Sequence, residues 1–321
     1  MPILVSPALV QAAHHHPHHL TYLQGIVIGA IQGVTELFPV SSLGHAVLIP
    51  HWIGGSWATV VGDESQKESP YLAFIVVLHV ATALALLLFF WRDWIAIIRG
   101  LFRSIGRRKI ETVHERMAWL LVIATIPAGL TGLLLEHELR VVFAKPLAAA
   151  IFLTVNGFIL FAGERLRQRA LARGGRDAVH PEVPDPHLDE VLDEAVVERV
   201  RPVDAAWIGL SQVLALFAGI SRSGITMVAG LFRGLDHEQA VRFSFLLATP
   251  IIFAAGVLKI PDFTGHLGNG IRHQALAGAV AAFIGALISI KFLTRYFQTN
   301  RLTPFGIYCL IFGVASIIRF A

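Results

Sequence analysis

Six long apolar runs constrain the fold of this chain more than any other feature of its sequence. Each approaches the roughly 20 mainly apolar residues that a helix needs to cross a bilayer. The runs are Tyr71–Trp91, Met117–Glu136, Pro146–Ala162, Ala240–Leu258, Arg272–Phe292 and Pro304–Phe320. A β-barrel would instead show alternating strands of about ten residues, a pattern absent from this sequence. The predicted fold class is therefore all-α, a polytopic membrane protein.

Composition excludes the main alternatives to a membrane protein. The 321 residues are 55% hydrophobic and only 15% charged, which a soluble domain of this size would not show. A single cysteine, Cys309, excludes a disulfide framework and a cysteine-based metal cluster. The net charge of +4 is better explained by the placement of loops than by affinity for nucleic acid, so no nucleic-acid partner is expected.

Two further apolar segments are too short to span, and each is interrupted. Tyr22–Leu37 stops before Pro39 and resumes as Ser42–Ile53, with a serine of the N-cap type at the restart. Asp204–Phe217 likewise breaks and resumes as Ile225–Phe232. Such broken helices survive in a membrane only where protein or a water-filled cavity covers them. We interpret each as a re-entrant helical hairpin.

The two breaks align at a spacing of 180 residues, which indicates an internal repeat. The matched pairs are Ile28 with Ile208, Gly29 with Gly209, Gln32 with Gln212, Ser41 with Ser221 and Gly44 with Gly224. Each half then holds one hairpin and three spans. Because three crossings is an odd number, the second half starts from the opposite face, and the repeat is predicted to be inverted. Paired interrupted segments point to a binding site at the repeat interface.

The predicted domain organisation follows from this repeat. Residues 1–20 form a disordered N-terminal tail rich in histidine, and residues 21–320 form one membrane domain. That domain consists of a first repeat (21–162), a hydrophilic, part-helical surface loop (163–202) and a second repeat (203–320).

Charge placement predicts the orientation in the membrane. The stretch Arg92–Arg116 is rich in arginine, and Lys291–Thr303 carries basic residues and no acid, whereas Gly54–Pro70 on the other face is net acidic. The positive-inside rule makes the basic face cytoplasmic. The first hairpin then enters from the outer face, and both termini lie outside.

The first break carries the residues of a candidate catalytic site. Gln32 and Glu36 lie four residues apart and so share a helix face, where oxygen ligands suit a hard cation such as Mg²⁺ or Ca²⁺. Glu36 is alternatively a base, or pairs with Arg222 for packing alone; we favour a function, because an idle carboxylate at membrane depth is costly. Gln32 is equally compatible with a hydrogen bond between helices.

Ser42 and His45 form the second part of this candidate site. They lie three residues apart and can meet on the first turn of one helix, which is the usual arrangement of an activated nucleophile. Ser42 could equally cap the helix end. The sequence leaves these alternatives open.

The second break supplies a candidate anion site. The guanidinium of Arg222 suits phosphate oxygens, and neighbouring hydroxyls with helix-start N–H groups would complete an anion cradle. The hydroxyl groups predicted to bind substrate belong to Ser41, Ser221, Ser223 and Thr226. An acid and a nucleophile from one hairpin, with an anion clamp from the other, point to chemistry on a phosphate at membrane depth.

These motifs, over roughly Tyr22 to Arg319, resemble the undecaprenyl-diphosphate phosphatase family, also called the bacitracin-resistance family. The first motif is Gln32–Glu36 with its continuation Pro39–His45, and the second is Ala218–Thr226. Gln32 stands where the family more often has Glu, which removes one charge from the metal site. Ala218 stands where the second motif has proline.

The resemblance implies hydrolysis of undecaprenyl diphosphate to undecaprenyl phosphate at the outer face of the bacterial plasma membrane, in the recycling of the carrier lipid for cell-wall synthesis. It implies a divalent cation and the participation of Glu36, Ser42, His45 and Arg222. Whether Ser42, His45 or water attacks stays open. The expected partners are a polyprenyl diphosphate lipid and the membrane, with a homodimer as an open alternative.

Two competing functions are weighed against this one. Inverted repeats with broken helices are also a transporter architecture, so a lipid flippase or an anion transporter is the alternative. Acid-phosphatase-like lipid phosphatases are disfavoured, because they place a histidine closely after their Ser-Arg pair, whereas the next histidine after Arg222 is His237.

Overall fold

The computed structural model describes residues 20–61, 70–143, 145–172, 188–265 and 268–321. The predicted N-terminal tail therefore lies outside the described residues, apart from Leu20, which is buried. Parts of the acidic loop and of the hydrophilic stretch, residues 62–69 and 173–187, also lie outside them.

All regular structure in the described residues is helical. The α-helices are α1 Tyr22–Thr35, α2 Ser42–Ile53, α3 Ser56–Val61, α4 Pro70–Phe89, α5 Trp91–Arg107, α6 Val113–Phe143, α7 Pro146–Ala172, α8 Leu188–Arg199, α9 Pro202–Ser211, α10 Arg222–Phe232, α11 His237–Thr264, α12 Arg272–Tyr296 and α13 Thr303–Phe320. A short 3₁₀ helix, Gln212–Leu216, follows α9 directly. The all-α class is thus confirmed.

Six of these helices, α4, α6, α7, α11, α12 and α13, are long and apolar enough to cross a membrane. They correspond one for one to the six predicted runs, so the multi-pass membrane class is confirmed. Large apolar side chains on them face outward, as with Leu133, Ile288 and Ile318. Outward apolar surface on spanning helices is the surface that lipid covers.

The connecting regions contain more helix than predicted. The basic stretch after the first span, expected to be a loop, forms α5, and the polar loop before that span contains α3. The hydrophilic stretch, predicted to be part-helical, contains the end of α7 as far as Ala172 and the whole of α8. Arg242 of α11 holds α8 in place through Asp193 at 2.8 Å. Burial raises the pKa of Asp193, and the charge of Arg242 opposes that rise.

Close backbone packing positions the two short interrupted helices. In α1, a Cβ atom on Gly29 would overlap the carbonyl oxygen of Gly278 in α12. In α9, a Cβ atom on Gly209 would overlap the carbonyl oxygen of Ala124 in α6. Gly29 and Gly209 are a matched pair at the 180-residue spacing. Each short helix therefore packs, backbone to backbone, on a long helix of the other half of the chain.

Candidate active site

The first break is a tight turn between α1 and α2. Ser41 is the N-cap of α2, and its Oγ accepts a hydrogen bond from the N–H of Gly44 at 3.2 Å. Its backbone has φ of 72°, in the left-handed region that a residue with a Cβ rarely adopts. The predicted restart of the helix is confirmed, and strain at this residue is part of the turn.

The second break uses the same cap with a different backbone turn. Ser221 is the N-cap of α10 and accepts from the N–H of Gly224 at 3.1 Å. The positive φ, 111°, falls two residues earlier, on Gly219. This residue tolerates that conformation because it has no Cβ.

Direct hydrogen bonds join the two breaks. The N–H of Gly219 donates to Ser41 Oγ at 3.1 Å, and Ser223 Oγ donates to the carbonyl of Phe38 at 3.1 Å. Segments 178 and 185 residues apart in the chain thereby satisfy each other's polar groups. Such pairing is what allows irregular backbone to exist at membrane depth.

Asn156 of α7 bridges the same two turns and is fully buried. Its Nδ2 donates to the carbonyl of Pro39 at 3.0 Å, and its Oδ1 accepts from the N–H of Ser221 at 3.0 Å. One amide therefore satisfies a backbone group in each break and sets their spacing.

The carboxylate of Glu36 meets the guanidinium of Arg222 between the breaks. Arg222 Nη2 donates to Glu36 Oε1 at 2.7 Å, and Glu36 is only 6% exposed. The predicted juxtaposition of these two residues is confirmed. The other terminal nitrogen of Arg222, Nη1, is buried and has no hydrogen-bond partner. This nitrogen can donate a hydrogen bond to a further anionic ligand.

Three side chains converge on the other oxygen of Glu36. Gln32 Nε2 donates to Oε2 at 3.0 Å, and Ser42 donates to it through a short hydrogen bond. The Nε2 atom of His79, on α4, lies 3.3 Å from it. The other ring nitrogen of His79 faces the carbonyl of Ile75 at 2.9 Å, so a ring carrying both protons donates at both contacts.

Ser42 and His45 do not pair in this structure. Nδ1 of His45 lies 2.7 Å from the carbonyl of Ser41, and its Nε2 lies 2.7 Å from the hydroxyl of Tyr308. Both ring nitrogens are thus engaged, while the Ser42 hydroxyl is directed at Glu36. Capping by Ser42 is not seen either, because Ser41 is the cap. The structure brings Ser42 to an acid rather than to the histidine.

The hydroxyls predicted to bind substrate are engaged in holding the turns together. Those of Ser221 and Ser223 lie 3.0 Å apart and both face the carbonyl of Phe38. The hydroxyl of Thr226 donates to the carbonyl of Arg222 at 2.8 Å and lies 2.6 Å from Ser244 Oγ. Their role in binding substrate stays a prediction.

The donor set at Glu36 is compatible with a weakly held hard cation. No group of three or more His, Cys, Asp and Glu side chains that could hold a metal occurs in the described part of the chain. The amide of Gln32 donates through Nε2 to Glu36, and its Oε1 is a buried oxygen without a hydrogen-bond partner. Mg²⁺ is commonly held by one or two carboxylates together with substrate phosphates, and this set fits that mode.

Sequence reasoning missed three residues that the structure brings to the site: His79, Asn156 and Tyr308. The first two had a usable signal, because each is a strongly polar side chain inside a long apolar run, where it is costly unless it has a role. Tyr308 had none, since a tyrosine in a spanning helix is common near the interface.

Spanning helices that enclose two joined helix breaks, with a buried ion pair between them, define an integral membrane protein with a polar site inside its helix bundle. Residues 25–315 match the family model described as Bacitracin resistance protein BacA. The chain belongs to this family, as its motifs predicted.

The similarity to known proteins extends over nearly the whole chain. It is 56% identical to the undecaprenyl-diphosphatase of Mycolicibacterium paratuberculosis, over 94% of this chain and 98% of that protein. It is 53% identical to undecaprenyl-diphosphatase 2 of Frankia alni, over 95% and 99%. Identity to the undecaprenyl-diphosphatase of Gluconobacter oxydans is 44%, over 92% and 97%.

Proposed function

We propose that this membrane protein is a phosphatase that hydrolyses undecaprenyl diphosphate to undecaprenyl phosphate and inorganic phosphate. The names of its close relatives support the reaction. The observation that carries the site assignment is the guanidinium of Arg222, whose Nη2 donates to Glu36 and whose Nη1 is buried without a hydrogen-bond partner. That nitrogen is a donor for an oxygen of the terminal phosphate.

Arg222 stabilises the charge that builds on the phosphoryl oxygens. In phosphoryl transfer, positioning and electrostatic stabilisation supply most of the catalysis. A guanidinium held by Glu36 is already oriented, so little reorganisation is needed when the transition state forms. The pair is mostly shielded from solvent, with Glu36 6% exposed, and the lower local dielectric strengthens the interaction.

Ser42 is the nucleophile in this proposal, with Glu36 as its base. The Ser42 oxygen forms a bond to the terminal phosphorus, and the bond from phosphorus to the bridging oxygen breaks, releasing undecaprenyl phosphate. The Ser42 proton passes to Glu36 Oε2, its hydrogen-bond partner. Water then attacks the phosphoserine, phosphate leaves, and the proton returns from Glu36 to Ser42.

The two histidines have different roles in this scheme. His79 contacts the same carboxylate oxygen as Ser42 and orients it. His45 is held between the Ser41 carbonyl and the Tyr308 hydroxyl, and its ring stacks on Tyr308 with centroids 5.6 Å apart. We assign His45 to supporting the strained turn at Ser41 rather than to activating Ser42.

A divalent cation completes the proposed site. Glu36 and Gln32 Oε1 are the groups that would hold it, and it would neutralise charge on the diphosphate. Because Gln32 is neutral, a single carboxylate supplies the negative charge, and we expect a weak site that substrate oxygens strengthen.

The proposed topology is an inverted repeat with two re-entrant hairpins, the catalytic site opening to the outer face of the bacterial plasma membrane. The matched caps Ser41 and Ser221 and the matched contacts of Gly29 and Gly209 support the repeat. The basic stretch Arg92–Arg116 supports the orientation.

The deciding experiment measures phosphate release from a prenyl diphosphate by the purified protein, with and without chelator. We expect release that needs the cation and disappears in Arg222→Ala. Protein that binds the lipid diphosphate yet releases no phosphate with cation present would contradict the phosphatase and favour lipid transport.

A further inference from the structure

Helix α5 presents three distinct stripes along its length. Its apolar stripe is exposed, with Phe102 69% and Ile105 53% accessible. The members of this stripe are Trp91, Ile95, Ile98, Phe102 and Ile105. An exposed basic stripe of Arg92, Arg99, Arg103 and Arg107 lies about a third of a turn away. The remaining third of the helix is packed against the protein.

The packed side fixes how α5 sits on the molecule. Gly100 lies against the backbone of His114 and Glu115 at the start of α6, and Trp119 Nε1 donates to Ser104 Oγ at 3.0 Å. Asp93 pairs with the buried Arg242 of α11 at 2.7 Å. The helix cannot roll without breaking these contacts, so both exposed stripes have fixed directions.

The position of α5 in the chain places it at a membrane boundary. The spanning helix α4 ends at Phe89, only Phe90 separates it from the start of α5, and the span in α6 begins at Val113. A helix with several arginines that links two spans on one face lies at the edge of the bilayer rather than across it.

We infer that α5 lies in the plane of the membrane surface and binds the phosphate head groups of anionic phospholipids. The apolar stripe enters the acyl-chain boundary, and the arginine stripe faces the head groups, as in interfacial helices. The charge of that stripe selects anionic over zwitterionic lipid, because each basic residue near such a surface adds to binding. This inference stands independently of the proposed phosphatase activity.

The test compares affinities for phosphatidylglycerol and phosphatidylcholine of equal chain length, by native mass spectrometry of the purified full chain. The variant replaces Arg92, Arg99 and Arg107 with Gln and spares Arg103, which pairs with buried Glu115 at 3.6 Å. The matched control replaces three other exposed arginines, Arg165, Arg169 and Arg295, with Gln.

We expect the wild type to bind phosphatidylglycerol more tightly than phosphatidylcholine. In the α5 variant, the affinity for phosphatidylglycerol should fall roughly ten-fold or more. The control variant should retain the preference, and phosphatidylcholine binding should be equal in all three proteins. An equal loss in the control, or no preference in the wild type, would overturn the inference. The latter result would suit an acidic protein partner instead.

A second measurement does not depend on the arginine variants. Cys309 is buried, so a nitroxide can be directed to Phe102→Cys or to Arg99→Cys in lipid nanodiscs. We expect oxygen dissolved in the acyl chains to reach the label at 102 and a water-soluble nickel complex to reach the label at 99. Equal access of the nickel complex to both labels would contradict the interfacial placement.

Added salt should weaken the preference for phosphatidylglycerol over phosphatidylcholine, because it screens the attraction between the arginines and the anionic head groups.

Discussion

The two helix breaks share one kind of helix cap and divide the polar side chains of the candidate site between them. Both place a serine N-cap at the restart, with the same bond to a glycine N–H three residues on. The first break contributes the acid Glu36, and the second contributes the cation Arg222. Their positive φ values fall on different residues, Ser41 and Gly219, and one hydrogen bond links those two residues. Two breaks with the same serine cap therefore form a candidate site that neither half contains alone.

The amides Gln32 and Gln212 show the same division at one matched position. Gln32 donates to Glu36 at 3.0 Å, inside the candidate site. Gln212 begins the 3₁₀ helix and donates to the carbonyl of Ala124 at 3.4 Å, in a contact between helices. Identical residues at equivalent sequence positions thus contact Glu36, the proposed base, in one half and a backbone carbonyl of another helix in the other half.

The largest effect is expected from breaking the pair that joins the breaks. Arg222→Ala and Glu36→Ala should each lower kcat for phosphate release by about 10³-fold or more, since transition-state charge loses its partner. Removing one member of a buried pair also destabilises the fold, by about 3–5 kcal/mol. Glu36→Gln, which keeps the shape, separates the two effects when kcat and the melting temperature are both measured.

Arg233→Ala is the matched control, because Arg233 follows the other end of the same helix, α10, and pairs with Asp204 at 3.0 Å. Its rate should stay near that of the wild type. Equal losses in Arg222→Ala and Arg233→Ala would mean that α10, rather than the ion pair, carries the effect.

The next prediction compares the losses of kcat in variants of Ser42 and His45, and so tests which of the two residues takes part in the chemical step. Ser42→Ala should lower kcat by about 10³-fold or more if Ser42 attacks phosphorus. His45→Gln should cost less than the roughly 100-fold expected from loss of a general base, because His45 contacts Tyr308 instead. Mass spectrometry of acid-quenched enzyme should find phosphate on Ser42. A larger loss in His45→Gln than in Ser42→Ala would reverse the assignment.

An intermediate effect is expected at the bridge between the breaks. Asn156→Ala leaves the buried N–H of Ser221 unpaired, at about 1–3 kcal/mol, and removes one of the two donors to the carbonyl of Pro39, the other being the thiol of Cys309. Both thermal stability and kcat should fall, and Asn156→Asp, which keeps the acceptor for Ser221, should retain more of each. Thr154→Val is the control on the same helix, since Thr154 bonds only the Ala150 carbonyl of its own helix among the bonds described. A kcat unchanged in Asn156→Ala would show that the spacing of the breaks does not depend on this amide.

The smallest effect should separate the two matched amides. Gln32→Ala removes a donor to Glu36 and a proposed cation ligand, so the cation concentration giving half-maximal rate should rise several-fold, about the cost of one hydrogen bond. Gln212→Ala should leave that concentration unchanged. Identical cation titrations for the two variants would remove Gln32 from the proposed metal site.

Much of the architecture follows from local sequence patterns. The six spans follow from long runs of apolar residues with few charges. The two breaks follow from Pro39, from Gly219 and from the capping serines. The meeting of Glu36 with Arg222 was predictable too, because two costly charges in matched breaks of one bundle have few other partners.

The hydrogen-bond partners inside the site depended on packing between distant helices. Sequence spacing suggested His45 for Ser42, whereas the folded chain directs Ser42 at Glu36 and His45 at Tyr308, 263 residues away. His79 lies on α4 and Asn156 lies on α7, and the rotation of each helix about its axis is set by the surface that the helix buries. Local patterns decide where a helix starts, stops and crosses lipid, because those choices depend on neighbouring residues. The partner of a buried polar side chain is decided by which helices touch and at what rotation, and this depends on the whole chain.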